Sequence, residues 1–374
     1  MNGAHRLTQV PPGVQCFVGE EARRRRQIEE RVLRVFEGWD YEEIIPPLFD
    51  YADVFADGAL GPRTYSFVGR DGSLLALRPD FTSLLAKIAA GRLKERPAPI
   101  RLYYSGEVLR YEPPRAGSQS ELFQMGLEHL GGEALRADTE VLAVAAECLD
   151  ALGIGGFLLT LGHVGIFSGL AEAAGLSGAA LAPIRERVES KDAAGVAEAL
   201  RRAGASGPAA DSLVRLATLA GGADVLGEVK RVAAPSQAAA LAARDLEGVV
   251  STLHEAGLGD RVVLDLGEVR GLDYYTGLVF RVLAPGLGFE VGSGGRYDTL
   301  VGRFGRALPA VGFMLGLDRL DLLMQRQGVA LDQAPAEPVL VTAPDVGRSL
   351  RAARGLRGEG TRVRFCPDED GGGA

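Results

Sequence analysis

The chain has 374 residues, of which 47% are hydrophobic and 24% are charged, and its formal net charge is −8. This length allows two or three domains, and the composition is ordinary for a globular protein. The negative balance disfavours a broad polyanion-binding surface, and no segment approaches the ~20 apolar residues of a membrane span or the apolar run of a signal peptide. We therefore expect a cytoplasmic protein with its own hydrophobic core.

The first predicted element is a helix over 23–37, in which Ile28, Val32 and Phe36 recur at helical spacing. Its four consecutive arginines, Arg23–Arg26, could contact nucleic acid. Because glutamates flank them on both sides, we interpret the run as a solvated helix face. A short strand over 41–45 follows and ends at two prolines.

Alternating apolar residues and turn signals predict further strands before residue 131. The segment 63–77 is typical of a hairpin, 82–90 of a short helix, and 100–110 and 121–130 of two longer strands. After them, Asp138 is a plausible N-cap for a helix that closes near residue 153. This region therefore alternates strands and helices.

Residues 165–245 change character, because alanine and glycine dominate and the strand patterns disappear. Helical patterns over 181–188, 193–203 and 211–220 predict a helical insertion. Strands return at 261–266 and 278–283. A glycine-rich stretch at 292–296 is predicted as a turn, and 311–317 as a buried strand that runs into a helix.

The last residues predict a linker at 329–337 and then a strand, a helix and a strand. We divide the chain into a core formed by 1–164 and 246–328, the helical insertion 165–245, and 329–374. That last segment is a linker with a short β-α-β remnant, which is too small to bury much core by itself.

The sequence lacks the patterns that are typical of several common metal, cofactor and catalytic sites. The cysteines, Cys16, Cys148 and Cys366, are widely spaced without a CxxC pair, and the four histidines share no metal-ligand spacing. The glycine-rich stretch 292–296 does not match a dinucleotide fingerprint, and neither a Walker A motif nor a nucleophile elbow is present. The sequence therefore predicts neither a metal nor a cofactor.

Three stretches carry polar groups in informative arrangements. Asp80 and Thr82 precede a helix and could cap it or bind a ligand. Gln124 and Glu128 share one face of a predicted strand, which could line a site or face water. The third stretch, Arg270–Gly277, places a charge beside paired tyrosines and two glycines, which permit close backbone approach to a ligand.

Arg270–Gly277 resembles the histidine-recognition motif of histidyl-tRNA synthetases and their paralogues. The resemblance extends over residues 10–325. The helix 23–37 with its strand is similar to class II motif 1, a dimerisation element; 109–112 resembles motif 2; and 311–320 resembles motif 3. It implies an α+β fold, the class II synthetase-like antiparallel sheet flanked by helices, with a helical insertion.

The resemblance also implies a histidine pocket. Asp80 and Thr82 would hold the α-amino group with help from Gln124, and Arg270 would approach the carboxylate. Glu128, Tyr274 and Tyr275 would surround the imidazole. A residual ATP-like site would retain Arg110, Glu112 and Arg319. Carboxylates can form ion pairs with an ammonium group, and an arginine can form one with a carboxylate, so the physical chemistry agrees with these roles.

Two branches of this family fit the motifs. One is the active synthetase, which activates histidine and charges tRNA. The other is the regulatory subunit of ATP phosphoribosyltransferase, which has no catalytic residues and assembles with the short-form catalytic subunit. A further synthetase-like paralogue and a scaffold without a ligand are weaker alternatives, the latter because so many polar groups converge on one site.

Three features favour the regulatory branch. Ser118 and Ser120 stand where synthetases carry phosphate-contacting arginines, and Phe81 replaces a glycine of the synthetase pattern. The residues after the linker are too few for a whole anticodon-binding domain, so we expect no tRNA partner. We expect a homodimer within a hetero-oligomer, activation of the catalytic subunit, and feedback by L-histidine in the first step of histidine biosynthesis.

Overall fold

The computed structural model describes residues 9–56, 61–111, 119–269, 274–331, 336–342 and 345–365. They fall into two units, Met1–Ala330 and Leu331–Ala374. Within the described ranges, no helix combines the length and the apolar character needed to cross a membrane.

The strands of the first unit, in chain order, are β1 (Glu42–Glu43), β2 (Phe49–Tyr51), β3 (Ser66–Val68), β4 (Leu74–Leu77), β5 (Ile100–Leu109), β6 (Glu121–Leu130), β7 (Leu158–His163), β8 (Ala220–Gly221), β9 (Val262–Asp265), β10 (Leu278–Leu283), β11 (Gly292–Arg296) and β12 (Ala310–Gly316). Its helices are α1 (Gly19–Gly38), α2 (Thr82–Ala90), α3 (Ala134–Ala151), α4 (Val164–Ala173), α5 (Leu181–Glu189), α6 (Ala193–Arg202), α7 (Pro208–Leu216), α8 (Leu226–Ala233), α9 (Gln237–Glu255) and α10 (Leu317–Gln327).

Nine strands form one mixed sheet in the order β1-β5-β6-β12-β11-β10-β7-β9-β8. The six central strands, from β5 to β7 in that order, pair antiparallel, as the sequence predicted. The outer pairs β1–β5 and β7–β9 are parallel, so the sheet is mixed at its margins. A separate three-stranded sheet has the order β2-β4-β3.

Helix α1 packs its apolar face inside the chain, with Ile28, Val32 and Phe36 fully buried. The interpretation of its arginine run as a solvated face is wrong for two residues. Arg24 donates to Asp321 at 3.0 Å, and Arg25 to Asp318 at 2.5 Å, so both tie α1 to α10. Asp318 belongs to the predicted motif 3, and Asp321 follows it in the same helix.

Three further sequence interpretations are corrected by long-range packing. Helix α3 begins at Ala134, capped by Glu133, and Asp138 lies inside it, where its carboxylate binds buried Arg296 at 2.7 Å. The glycine-rich stretch predicted as a turn is strand β11, paired on both sides. In the helical insertion, the two-residue strand β8 pairs with β9, although no strand was expected there.

The second unit contains β13 (Val339–Val341), α11 (Val346–Gly358) and β14 (Val363–Phe365). The two strands pair in parallel, so the described residues form the β-α-β arrangement that the sequence predicted. Ala353 and Ser349 of the helix are buried within it.

Candidate functional site

A cavity of about 290 Å³ opens on the antiparallel centre of the large sheet. Strands β6, β11 and β12 supply its floor, α2 one wall, and the segment before β10 another. The residues that line it are Asp80, Phe81, Thr82, Ser83, Tyr104, Arg110, Gln124, Glu128, Tyr274, Tyr275, Ser293, Gly294, Tyr297, Gly312, Phe313 and Met314. Six of the predicted histidine-binding residues therefore surround one space.

Glycines leave room for this cavity. In the register of β6 and β12, Gly312 lies opposite Glu128. A Cβ atom at Gly312 would lie 1.8 Å from Oε2 of Glu128, and one at Gly294 would lie 2.3 Å from the Gly312 carbonyl oxygen. Real Cβ contacts are never so short, so glycine is required at these positions for the Glu128 side chain to lie against the sheet.

Glu128 is the most buried acid in the cavity, with 1% of its surface exposed. Its Oε1 accepts a hydrogen bond from the Thr82 hydroxyl at 2.7 Å, and its Oε2 accepts one from the Tyr297 hydroxyl. Burial raises the pKa of Glu128 to about 8, because the two hydrogen bonds only partly compensate for lost hydration. A ligand that brings a donor or a positive charge would favour the ionised form.

Asp80 serves both as a cap and as a cavity wall. Its Oδ1 accepts the backbone amide of Ser83 at 2.7 Å, in the first turn of α2, and its Oδ2 accepts the Ser83 hydroxyl at 3.2 Å. Burial raises the pKa of Asp80, while the Ser83 amide and the charge of Arg110 oppose the rise. The capping alternative is thus observed, and the position of Asp80 in the cavity wall leaves ligand binding as a prediction.

Aromatic rings enclose the polar groups. The Tyr274 and Tyr275 rings meet edge to face with centroids 5.0 Å apart, and Tyr297 lies 5.2 Å from Tyr274. On the opposite side, Phe81 stacks on Tyr104 at 4.1 Å, nearly parallel. Such a site can hold a flat, weakly basic ring between aromatic walls while carboxylates hold its polar atoms.

Of the residues predicted for a residual ATP-like site, the structure describes Arg110 and Arg319. Arg110 lines the cavity, and its Nε donates to the Pro79 carbonyl at 2.6 Å. Arg319 does not line this cavity; it donates to the backbone and side-chain oxygens of Glu290 at 2.8 and 3.1 Å. Arg270, Glu112 and Ser118 lie outside the described residues.

Ser120 stands next to β6, and its hydroxyl bonds with the Tyr65 hydroxyl at 3.1 Å. By the period of two, this serine shares the strand face of Gln124 and Glu128, which is the cavity face. The Ser120 hydroxyl is therefore engaged by a neighbouring tyrosine.

Sequence reasoning missed several lining residues, above all Tyr297, which bonds Glu128 directly. Tyr104 and Ser293 were also not identified as site residues. Tyr297 follows a stretch that the sequence predicted to be a turn; had that stretch been recognised as a strand, its position at the strand end would have indicated the site.

Among the residues that the structure describes, no group of three or more His, Cys, Asp and Glu is arranged to hold a metal ion. Of the histidines, His163 accepts the Gly165 amide at 3.1 Å at the start of α4, and burial lowers its pKa to about 4. It therefore serves as a helix cap.

Comparison with known proteins assigns this chain and its fold to a family. The histidyl-tRNA synthetase family model matches residues 13–320. An ATP phosphoribosyltransferase regulatory subunit from Moorella thermoacetica is 38% identical, over 95% of this chain and 91% of its own length. That from Geobacter sulfurreducens is 38% identical over 94% and 81%.

The chain belongs to this family of ATP phosphoribosyltransferase regulatory subunits. The resemblance inferred from the sequence motifs is thereby confirmed. Solved structures agree. The Bacillus halodurans protein described as an ATP phosphoribosyltransferase regulatory subunit/histidyl-tRNA synthetase has a TM-score of 0.84 at 26% identity, covering 98% of this chain and 95% of its own.

A structure described as a histidine–tRNA ligase subunit, from Alicyclobacillus acidocaldarius, has a TM-score of 0.73 at 30% identity. It covers 86% of this chain and 98% of its own. Family members with either description thus share the synthetase-like fold. The curated relatives' names favour the regulatory branch of the two that the motifs left open.

Proposed function

We propose that this chain is a non-catalytic regulatory subunit that assembles in the cytoplasm with the short-form catalytic subunit of ATP phosphoribosyltransferase. It would raise the activity of that subunit in the first step of histidine biosynthesis and take part in feedback by L-histidine. Its relatives carry the regulatory-subunit name. The observation that carries the proposal further is that six of the predicted histidine-binding residues line one cavity, whereas Arg319 of the predicted ATP-like site lies outside that lining and is paired with Glu290.

The cavity suits histidine in particular. The carboxylate of Asp80 can pair with the α-ammonium group, with Thr82 and Gln124 nearby, and Arg270 is assigned to the ligand carboxylate by its motif. Glu128 can accept an imidazole N–H between the tyrosine rings. Charge-assisted hydrogen bonds of this kind give both affinity and orientation, and a purely apolar amino acid would offer Glu128 no such donor.

Loss of adenylation follows from three features of the described residues. Ser120 is bonded to Tyr65, the cavity is walled by Phe81 stacked on Tyr104, and Arg319 is held by the carboxylate of Glu290. An arginine that would stabilise the charge of a phosphate must first leave its acidic partner. Losing one preorganised donor typically costs a factor of ~10²–10³ in rate.

We further propose that the chain binds no tRNA. Several arginines of the helical insertion lie in ion pairs within it: Arg187 with Asp192 at 3.1 Å, and Arg215 with Glu228 at 2.7 Å. Together with the net charge of −8, these pairs offer little uncompensated positive charge to a phosphate backbone.

We also propose a homodimer within the hetero-oligomer, but with a different contact surface from the one the motif 1 resemblance implies. The apolar face of α1 is used inside the chain. The small sheet instead exposes large apolar side chains, with Tyr51 at 55% and Phe67 at 40% exposure. Exposed apolar patches of this kind favour contact with a protein partner. A second copy of the same chain is a partner that is always present at the same concentration as the first.

Two assays test the function. ATP–pyrophosphate exchange with saturating histidine should be negligible, and turnover on the order of 1 s⁻¹ or more would show an active synthetase. In parallel, the purified chain should increase the phosphoribosyl transfer rate of the short-form catalytic subunit, and histidine should lower it. A catalytic subunit that is equally active with and without this chain would contradict the proposed role.

A further inference from the structure

Lys191 stands at an unusual point of the backbone. It comes two residues after the end of α5, at the turn into α6, with φ of +59°. Residues other than glycine rarely adopt this left-handed conformation, and glycine is the usual residue just after a helix. A lysine here indicates that its side chain makes an interaction that glycine would lose.

The Lys191 ammonium reaches out of the helical insertion to the core. Its Nζ forms an ion pair with Oδ1 of Asp265, the last residue of β9. That same oxygen accepts the Gly267 amide at 3.1 Å. A Cβ atom at Gly267 would lie 2.5 Å from Nζ, so a glycine is needed there for the ammonium to approach the backbone.

The residues that follow Asp265 extend this network of ion pairs toward the cavity. Glu268 is 6% exposed and forms an ion pair with Arg281 of β10, whose guanidinium also lies 3.8 Å from Oδ2 of Asp265. Two acids and two bases thus hold this segment. Burial, then the charge of Glu128, then the charge of Glu268 raise the pKa of Tyr275.

We propose that Lys191 is a positioning residue for the ligand cavity. By holding Asp265, it fixes the segment 265–268, which packs over Gly162 of β7. Gly162 and Gly295 both lie opposite Val279 in the strand register, and the Tyr275 ring packs over Gly295. Ligand binding at the tyrosines is therefore coupled to the docking of the helical insertion, and such coupling acts in both directions. The proposal rests on the proposed function for the identity of the ligand, histidine.

Substitutions at this position can separate the ion pair from the fold. Lys191→Gly removes the ammonium and fits the left-handed backbone better than lysine does, so α5 and α6 are expected to stay folded. Lys191→Arg retains a cation. Arg202→Met is the control, because it removes an ion pair with Glu198 inside α6 that is more exposed and does not reach the core.

Hydrogen–deuterium exchange of the full chain, with and without histidine, and calorimetric titration with histidine provide the readouts. In Lys191→Gly, exchange over 262–269 should rise without ligand. Histidine affinity should fall about two- to fivefold, the range of a partly exposed ion pair, and histidine should no longer protect 181–203. Lys191→Arg should behave nearly as the parent, and Arg202→Met should change none of these.

The proposal is overturned if Lys191→Gly exchanges over 262–269 as Arg202→Met does. It is equally overturned if histidine binds Lys191→Gly with parental affinity and still protects 181–203. Should the parent not bind histidine at all, the proposed ligand is wrong, and the exchange of the ligand-free variants then decides the positioning role alone.

Discussion

Glu128 is more easily accommodated in the cavity as a neutral carboxyl group than as a carboxylate. Burial raises its pKa from 4.5 to about 8, although Thr82 and Tyr297 donate hydrogen bonds to it. Between these two values the folded chain retains a proton that the unfolded chain has lost. The folded state is therefore penalised progressively as the pH rises from about 4.5 to about 8.

This linkage predicts a stability difference between the parent and Glu128→Gln. The amide resembles the protonated acid, so the two proteins should unfold with similar free energies near pH 5. The parent should then lose stability relative to the variant by on the order of 1.4 kcal/mol per pH unit, up to about pH 8. Urea unfolding at several pH values measures the difference, and parallel pH profiles would show that Glu128 is ionised throughout.

The same substitution tests the ligand. Glu128→Gln and Asp80→Asn keep the side-chain shape but remove a charge, and each leaves a partner of the bound histidine unsatisfied. Calorimetry at pH 8 should show affinity lower by about 1–3 kcal/mol, or roughly 5–150-fold. Glu172→Gln, at an exposed site on α4, serves as the control, and leucine should not bind.

Parental affinity in both cavity variants would place the histidine site elsewhere. If histidine still inhibits the assembled complex equally well in these variants while their own affinity has dropped, feedback acts through the catalytic subunit or the interface. The two results are distinguishable because one is measured on the isolated chain and the other on the complex.

Individual elements differ in how far the sequence determines them. Helix α2 begins and ends at the residues predicted, Thr82 and Ala90, because its apolar period and the Asp80–Ser83 cap are both local. Strand β11 was predicted as a turn because glycine usually favours turns. Its glycines are instead required by neighbours distant in sequence, such as the Tyr275 ring, which a Cβ atom at Gly295 would approach to 2.8 Å.

The glycines of strands β11 and β12 lead to a prediction about how these elements pack. Gly312→Ala would place a methyl group 1.8 Å from Oε2 of Glu128 and 2.5 Å from the Leu127 carbonyl oxygen. Because the backbone of β6 cannot move away freely, the variant should lose about 1–3 kcal/mol of folding free energy, together with its affinity for histidine.

Gly302→Ala is the matched control for this substitution. A Cβ atom at Gly302, in the short helical turn Val301–Phe304, would meet nothing within 4 Å. Thermal unfolding should therefore be close to that of the parent. Equal melting temperatures for the two alanine variants would mean that β12 tolerates a side chain beneath Glu128.

At the scale of the whole molecule, separated motifs in the right order identified the family and the sheet. They could do so because each motif makes contacts that the entire fold requires. The buried pair of Asp138 and Arg296 was missed because nothing local links residues 158 positions apart. Likewise, periodicity showed that Ile28, Val32 and Phe36 form one face of a helix, but not whether that face meets its own chain or a second one.

The small sheet gives the prediction for assembly. Tyr51 and Phe67 both lie opposite Leu75 in the strand register, so they share one face of this sheet, and the Phe67 ring contacts Phe49 at 5.8 Å. The double substitution Tyr51→Ser, Phe67→Ser should convert a dimer into a monomer at micromolar concentration, because it removes apolar surface that only a partner can cover. Light scattering gives the mass.

Leu241→Ser, at an isolated apolar residue with 51% exposure on α9, is the control and should remain dimeric. A parent that is strictly monomeric alone and with the catalytic subunit would refute the homodimer. A double variant that stays dimeric would instead move the interface away from this sheet.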